Sequence, residues 1–222
     1  MTEATEKKPV RRPRRNAQVS IPVYQREMVL NSHQAQRIIQ RGFRRTARAL
    51  YSIDVILRII GDADEATQVE EMITNLINEE YKAIQQEKSR LEKIIKDNGI
   101  DMLPEYTHPE KITLPISSPQ SSRFVAIIQE LDELMRLIDT LWLNHIMTNS
   151  QRGKGTWRWQ TRILGLGRRI VNIEMRARKA ARTSGKGEAV DKELGASESK
   201  ADVAESGTDA DKNAKKDETA AA

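Results

Sequence analysis

Residues 65–97 constrain this chain more than any other stretch. Between Gly61 and Gly99, the apolar residues Val69, Met72, Leu76, Ile84, Leu91 and Ile94 keep close to a three-four spacing for about nine turns. Asp62 or Asp64 is available as N-cap, and Gly99 stops the pattern. The spacing predicts a helix much longer than is usual in globular proteins. A helix of that length with one apolar stripe must bury it against a partner helix or another subunit. The fold class expected is therefore mainly α.

The flanking segments follow. SIPVYQREMVLN (20–31) holds a short strand in which Met28 and Leu30 alternate against Glu27, Val29 and Asn31. Ser32 caps a helix over HQAQRIIQR, with Ala35, Ile38 and Ile39 on one face and Gly42 as its stop. A second helix at about 44–60 buries Leu50, Ile53, Leu57 and Ile60, while Arg44, Arg45 and Arg48 crowd its first turns. Beyond the long helix, Pro104 and Pro109 break a loop, and KITLPI (111–116) forms a second extended segment. A helix at about 120–147 carries a broad apolar face that runs through Phe124, Ile128, Leu131, Met135, Ile138 and Trp142 and continues to His145. QRGKG (151–155) reads as a basic turn before a last helix at about 156–182, with Ile163, Leu166, Ile170 and Ile173 inward. There Gly165 and Gly167 weaken the helix or allow close packing.

Only 38% of the residues are hydrophobic and 31% are charged, so part of the chain is expected to lie outside any core. Residues 1–19 read as a disordered basic arm and residues 183–222 as a disordered tail. Between them, residues 20–61 and 62–182 divide into a strand-helix-helix region and a helical body that supports dimerisation.

Net charge hides a pattern. The total is +5, yet residues 1–50 carry +9, residues 51–150 carry −9, residues 151–190 carry +9 and the tail carries −4. Basic blocks of this density attract polyanions such as nucleic acid or anionic lipid. No apolar run reaches about 18 residues and no hydrophobic anchor adjoins the basic arm, so a membrane role is not expected. The absence of cysteine and of a secretory h-region fits a cytoplasmic protein.

Catalytic signals are poor. With no cysteine, and with His33, His108 and His145 far apart, no metal-ligand spacing is present and no cofactor is implied. LGLGRR lacks the third glycine and the preceding strand of a dinucleotide loop. The carboxylate pairs Glu70/Glu71 and Asp132/Glu133 fit the solvated faces of amphipathic helices. A binding protein is expected rather than an enzyme.

Basic arm, strand, short helix, glycine and arginine-led helix are the outline of a ribbon-helix-helix unit. One strand makes no ribbon, so two chains would pair their strands, and the two-stranded ribbon would enter the major groove of double-stranded DNA. Glu27, Val29 and Asn31 would face the groove floor, with Asn31 suited to adenine and Val29 to a thymine methyl. Arg44 and Arg45 would meet phosphates at a helix N-terminus, with Arg37 and Arg41 beside them and Arg11, Arg12, Arg14 and Arg15 on the arm. The alternative is that 26–32 and 111–116 pair within one chain as a structural hairpin.

The second basic block also has two readings. Arg152, Lys154, Trp157, Arg158, Trp159, Arg162, Arg168 and Arg169 either expose charge and aromatic planes to nucleic acid, or pack a tryptophan inward and pair arginines with the acidic helices.

REMVLNSHQAQRIIQ (26–40) and KITLPISSPQSSRFVAIIQELDELMRLID (111–139) resemble the AcaB-like family of transcriptional regulators, carried by conjugative plasmids and integrating conjugative elements. The likeness spans about residues 24–180. It rests on the strand leading to Ser32-His33-x-Ala35 and on Thr113-Leu114-Pro115 before an amphipathic helix. The resemblance implies a homodimeric ribbon-helix-helix protein that binds promoter DNA and activates conjugative transfer genes. The competing class is a structural or adaptor protein of the transfer machinery that binds protein partners through its acidic helices.

Overall fold

The computed structural model describes residues 20–61 and 63–194. The element order is β1 (Tyr24–Leu30), α1 (His33–Ile38), a π-helical segment (Ile39–Phe43), α2 (Arg44–Ile60), α3 (Ala63–Asp97), β2 (Glu110–Ile116), α4 (Pro119–Leu143), α5 (Asn149–Thr183) and α6 (Gly187–Leu194). Residues Ile21–Val190 form one unit around a shared apolar core.

Gly42 does not end a helix. α1, the π segment and α2 are continuous, because Ile38 and Phe43 must both be buried and they lie five residues apart. An α-helix turns such a pair to different faces. The wider π turn restores them to one. Gly42 serves contact instead: a Cβ there would lie 3.1 Å from Leu164 Cδ2 of α5. Two turns of α5 meet the rod this closely, since a Cβ on Gly167 would lie 2.6 Å from Thr46 Oγ1. Close packing is thus what Gly167 provides. The rod does end at Gly61, whose φ of 77° suits the left-handed cap.

α3 is the predicted long helix, but its stripe is rotated. Ile73, Ile77, Ile84, Leu91 and Ile95 are buried, whereas Met72 is exposed and Val69, Leu76 and Ile94 are half-buried. A heptad-like row (73, 77, 84, 91) packs on α4, whose Leu131, Leu134, Ile138 and Leu141 are buried in turn. α4 opens with a capping box between Ser118 and Ser121 and stops at Leu143, short of the expected boundary. His145 consequently leaves the apolar face: it is exposed, with φ 59°, in the turn before α5.

The basic turn at 151–155 is also helix. Thr148 and Gln151 form a capping box that starts α5 at Asn149, upstream of both glycines. At the other end, α5 reaches Thr183 and α6 occupies 187–194, where structure was not expected, and Val190 is fully buried. The remaining tail and the basic arm, including Arg11, Arg12, Arg14 and Arg15, lie outside the described residues.

Candidate nucleic-acid interface

β1 finds its partner in its own chain. It pairs antiparallel with β2, in the register Tyr24–Ile116, Gln25–Pro115, Arg26–Leu114, Glu27–Thr113, Met28–Ile112, Val29–Lys111 and Leu30–Glu110. Of the two pairings open to the strand, the one between 26–32 and 111–116 of the same chain is formed, and a strand from a second chain is not needed at this edge. Both strands obey the same alternation. Met28, Leu30 and Leu114 are buried beneath the ribbon, and Gln25, Glu27, Val29, Lys111, Thr113 and Pro115 stand exposed on its outer face.

That face carries mixed chemistry. Glu27 is paired with Lys111 at 3.3 Å, so its charge is offset by the neighbouring strand. Val29, 53% exposed, offers methyl groups, while Gln25 and Thr113 offer hydrogen bonds. Arg26, on the other side of the strand, donates from Nη2 to Gln129 Oε1 at 2.7 Å and ties the ribbon to α4.

Asn31 is not on this face. Its backbone N–H and its Nδ2 both donate to Asp132 Oδ2, at 2.9 and 3.0 Å. Ser32 donates its N–H and its hydroxyl to Asp132 Oδ1, both at 2.7 Å, and its Oγ accepts from Ala35 N as the N-cap of α1. One buried carboxylate on α4 thereby holds the bend at which β1 becomes α1. Strand alternation ends at Leu30, so the parity that placed Asn31 outward stops applying one residue earlier. Gln36 closes the junction, donating to the carbonyls of Leu30 and His108.

After the ribbon strand, the rod carries a basic side. Arg41, Arg44 and Arg45 are exposed and Arg37 is half-buried; among the described residues none of the four has an acidic partner. Because the rod is continuous, Arg44 and Arg45 sit mid-helix. Free amides of a helix N-terminus, expected there for phosphate, are not available.

Half of the cations in the second basic block are occupied. Arg152 donates to Asp139 at 2.6 Å and lies 4.1 Å from the Trp142 ring centroid. Arg162 and Arg169 both pair with Glu80 of α3, and Arg162 also covers Trp159. The hydrogen bond from Arg90 holds Glu87 below its ordinary pKa against the opposing effect of burial, and Arg158 adds to the lowering. Trp159 is the inward anchor, at 7% exposed, whereas Trp157 is 69% exposed and Lys154 is exposed. Pairing with the acidic helices therefore describes Arg152, Arg162 and Arg169. Burial and the bond to Asp139 push the Tyr106 hydroxyl far above the usual phenol range, locking the loop before β2 onto the same carboxylate that holds Arg152.

Lys111 and Thr113 were not legible as site residues while β1 was read as pairing with a second copy of itself. The signal was present in KITLPI, where Lys111, Thr113 and Pro115 alternate with Ile112, Leu114 and Ile116 as β1 does. Among the described residues no group of three or more His, Asp or Glu is placed to hold a metal, and no helix is long and apolar enough to cross a membrane.

No family model and no curated protein matches the chain. Among solved structures it is similar to the crystal structure of AcaB from uropathogenic E. coli, at 45% identity and a TM-score of 0.75. The match covers 78% of this chain and 89% of the other.

Proposed function

The chain belongs to the AcaB family, and from that premise we propose that it is a DNA-binding regulator of genes on a conjugative element, acting in the cytoplasm by stoichiometric binding rather than catalysis. The observation that carries the proposal is the ribbon. Two strands about 4.8 Å apart fit a major groove about 12 Å wide. Their outward row (Gln25, Glu27, Val29, Lys111, Thr113) has the side-chain types that read base edges: an amide for adenine, a cation for guanine, a carboxylate for cytosine and methyls for thymine. Arg37, Arg41, Arg44 and Arg45 flank it for phosphates.

The proposal includes a homodimer and activation of transfer genes. One such ribbon reads about four base pairs, a sequence that recurs roughly every few hundred positions, so a promoter-specific regulator needs two copies on one operator. If each chain neutralises about four phosphates, log affinity falls against log salt with a slope near −7 per dimer.

Chromatin immunoprecipitation with sequencing tests the reading. A few sharp peaks upstream of transfer operons are expected, with expression of those operons falling on deletion of the gene. An even background would favour the adaptor class instead. On a duplex taken from such a peak, Gln25→Ala or Thr113→Ala should cost about 1–3 kcal/mol of specific binding and spare random-sequence duplex.

A further inference from the structure

The arginines of α5 divide by what faces them. Arg152, Arg162, Arg169 and Arg178 are held by Asp139, Glu80 and Glu174. Arg168 and Arg176 are exposed and, among the described residues, have no acidic partner. Eight residues apart, they stand about 80° apart around the helix, with Arg176 in line with Arg169.

Three contacts say where the Arg168 face points. Gly42 meets Leu164, Thr46 meets Gly167, and Lys186, just past α5, donates to the carbonyl of Ile60 at the end of α2. Both helices therefore ascend together, side by side. In a parallel pair of right-handed helices, the residue before a contact on one and the residue after a contact on the other turn to the same side, each by about 100°. Arg41 and Arg45 precede Gly42 and Thr46, and Arg168 follows Gly167. All three arginines thus flank one seam. Arg176, nine residues past Gly167, turns away from it and lies in line with Arg169. Asp54, eight residues after Thr46, turns to the opposite side and faces Glu70 of α3. Acidic groups gather across the helix pair from the seam.

We infer that the seam between α2 and α5, lined by Arg41, Arg45 and Arg168, binds the sugar-phosphate backbone of duplex DNA outside the stretch that the ribbon reads. This rests on the DNA-binding reading and adds to it a surface from a helix far along the chain. Two helices side by side are too broad for a groove, so the seam positions the duplex and reads no bases. Arginine suits that task through paired donors to phosphate oxygens.

The test is the salt dependence of full-length protein binding to random-sequence duplex, by fluorescence anisotropy between about 50 and 200 mM salt. For Arg168→Gln, the slope of log affinity against log salt should become shallower by close to 1 per chain, while Arg176→Gln, on another face, should change it little. Arg168→Lys should keep most of the wild-type slope. Arg90→Gln, which breaks an exposed pair with Glu87 on α3, should leave the slope unchanged. A steep wild-type slope that Arg168→Gln retains in full would overturn the seam while leaving DNA binding intact. A flat wild-type slope would overturn both.

Discussion

Asp132 is the residue whose loss the fold should feel most sharply. It is 3% exposed, on α4, and accepts four hydrogen bonds from two consecutive residues of another element. Truncation in Asp132→Ala strands those donors unequally. The Asn31 groups are half-buried and can recover water, but Ser32, 1% exposed, cannot. A buried N–H without an acceptor costs about 1–3 kcal/mol, and hydrogen bonds to a charged group contribute about 1.5–3 kcal/mol each before desolvation is set against them. Relief of the carboxylate's own burial offsets part of the loss. The net expectation is about 3–5 kcal/mol, a large share of the roughly 5–15 kcal/mol typical of a domain. Asp132→Asn keeps one acceptor and turns a donor toward a donor, so it should lose about half as much. Urea unfolding followed by circular dichroism reads this directly. At an m-value of about 1–3 kcal/mol/M, the alanine variant should lower the midpoint by about 1 M or more. A midpoint within a few tenths of wild type would refute the idea that this carboxylate holds the strand-to-helix bend.

Three further outcomes are expected. Asn31→Ala removes one of the four bonds, so it should cost about 1 kcal/mol of stability and weaken specific and random-sequence DNA equally; a loss confined to the specific site would return Asn31 to the groove face. Gly167→Ala places a methyl 2.6 Å from Thr46 Oγ1, which is itself bonded to the Gly42 carbonyl, and should destabilise by about 1–3 kcal/mol in a thermal melt, with Thr46→Ala relieving most of it. Burial, with Glu70 adding to it, raises the Asp54 pKa to about 6 from 3.8. Between pH 4 and 6 the folded state holds the proton more tightly than the unfolded chain, so stability falls as pH rises through that window. Asp54→Asn should therefore melt higher than wild type at pH 7 and match it near pH 4, and equal melting points at both would contradict the shift.

The helices were legible from apolar spacing because burial stripes are local. The α4 and α5 inward rows from Phe124 to Leu141 and from Ile163 to Ile170 fall where their periodicity puts them. Errors arose where a residue type has two uses. Gly42 fits a helix stop in sequence, but its missing Cβ admits Leu164, and the five-residue step from Ile38 to Phe43 is the local sign of a π turn. Gly153 and Gly155 read as a turn, although the Thr148–Gln151 capping box had already committed the chain to helix. The site was half visible. Its outward residues on β1 follow from alternation, but pairing with Glu110–Ile116 is a contact across about eighty residues that no local pattern specifies. Asp132 looked like one of two solvated carboxylates on an amphipathic helix, and only the packed structure brings Asn31 and Ser32 to it.

Pairing within the chain also bears on how two copies can meet. Joining β1 to β1 of a second copy would give a four-stranded sheet, with three gaps of about 4.8 Å between outer strands. With side chains added, such a sheet is too broad for a groove about 12 Å wide. A groove-reading ribbon and an edge-paired dimer therefore exclude one another. The ribbon's composition favours the first. At the ribbon's other edge, Pro115 has no N–H to give, and proline in a strand is tolerated with that side turned away from the ladder, so a second copy is hindered from joining through β2 as well. Glu27 and Lys111 put charge along the two strands, as edges that resist further pairing do. The proposed dimer then has to form through the helices, which leaves each ribbon separate and the spacing between two half-sites set by the helical body.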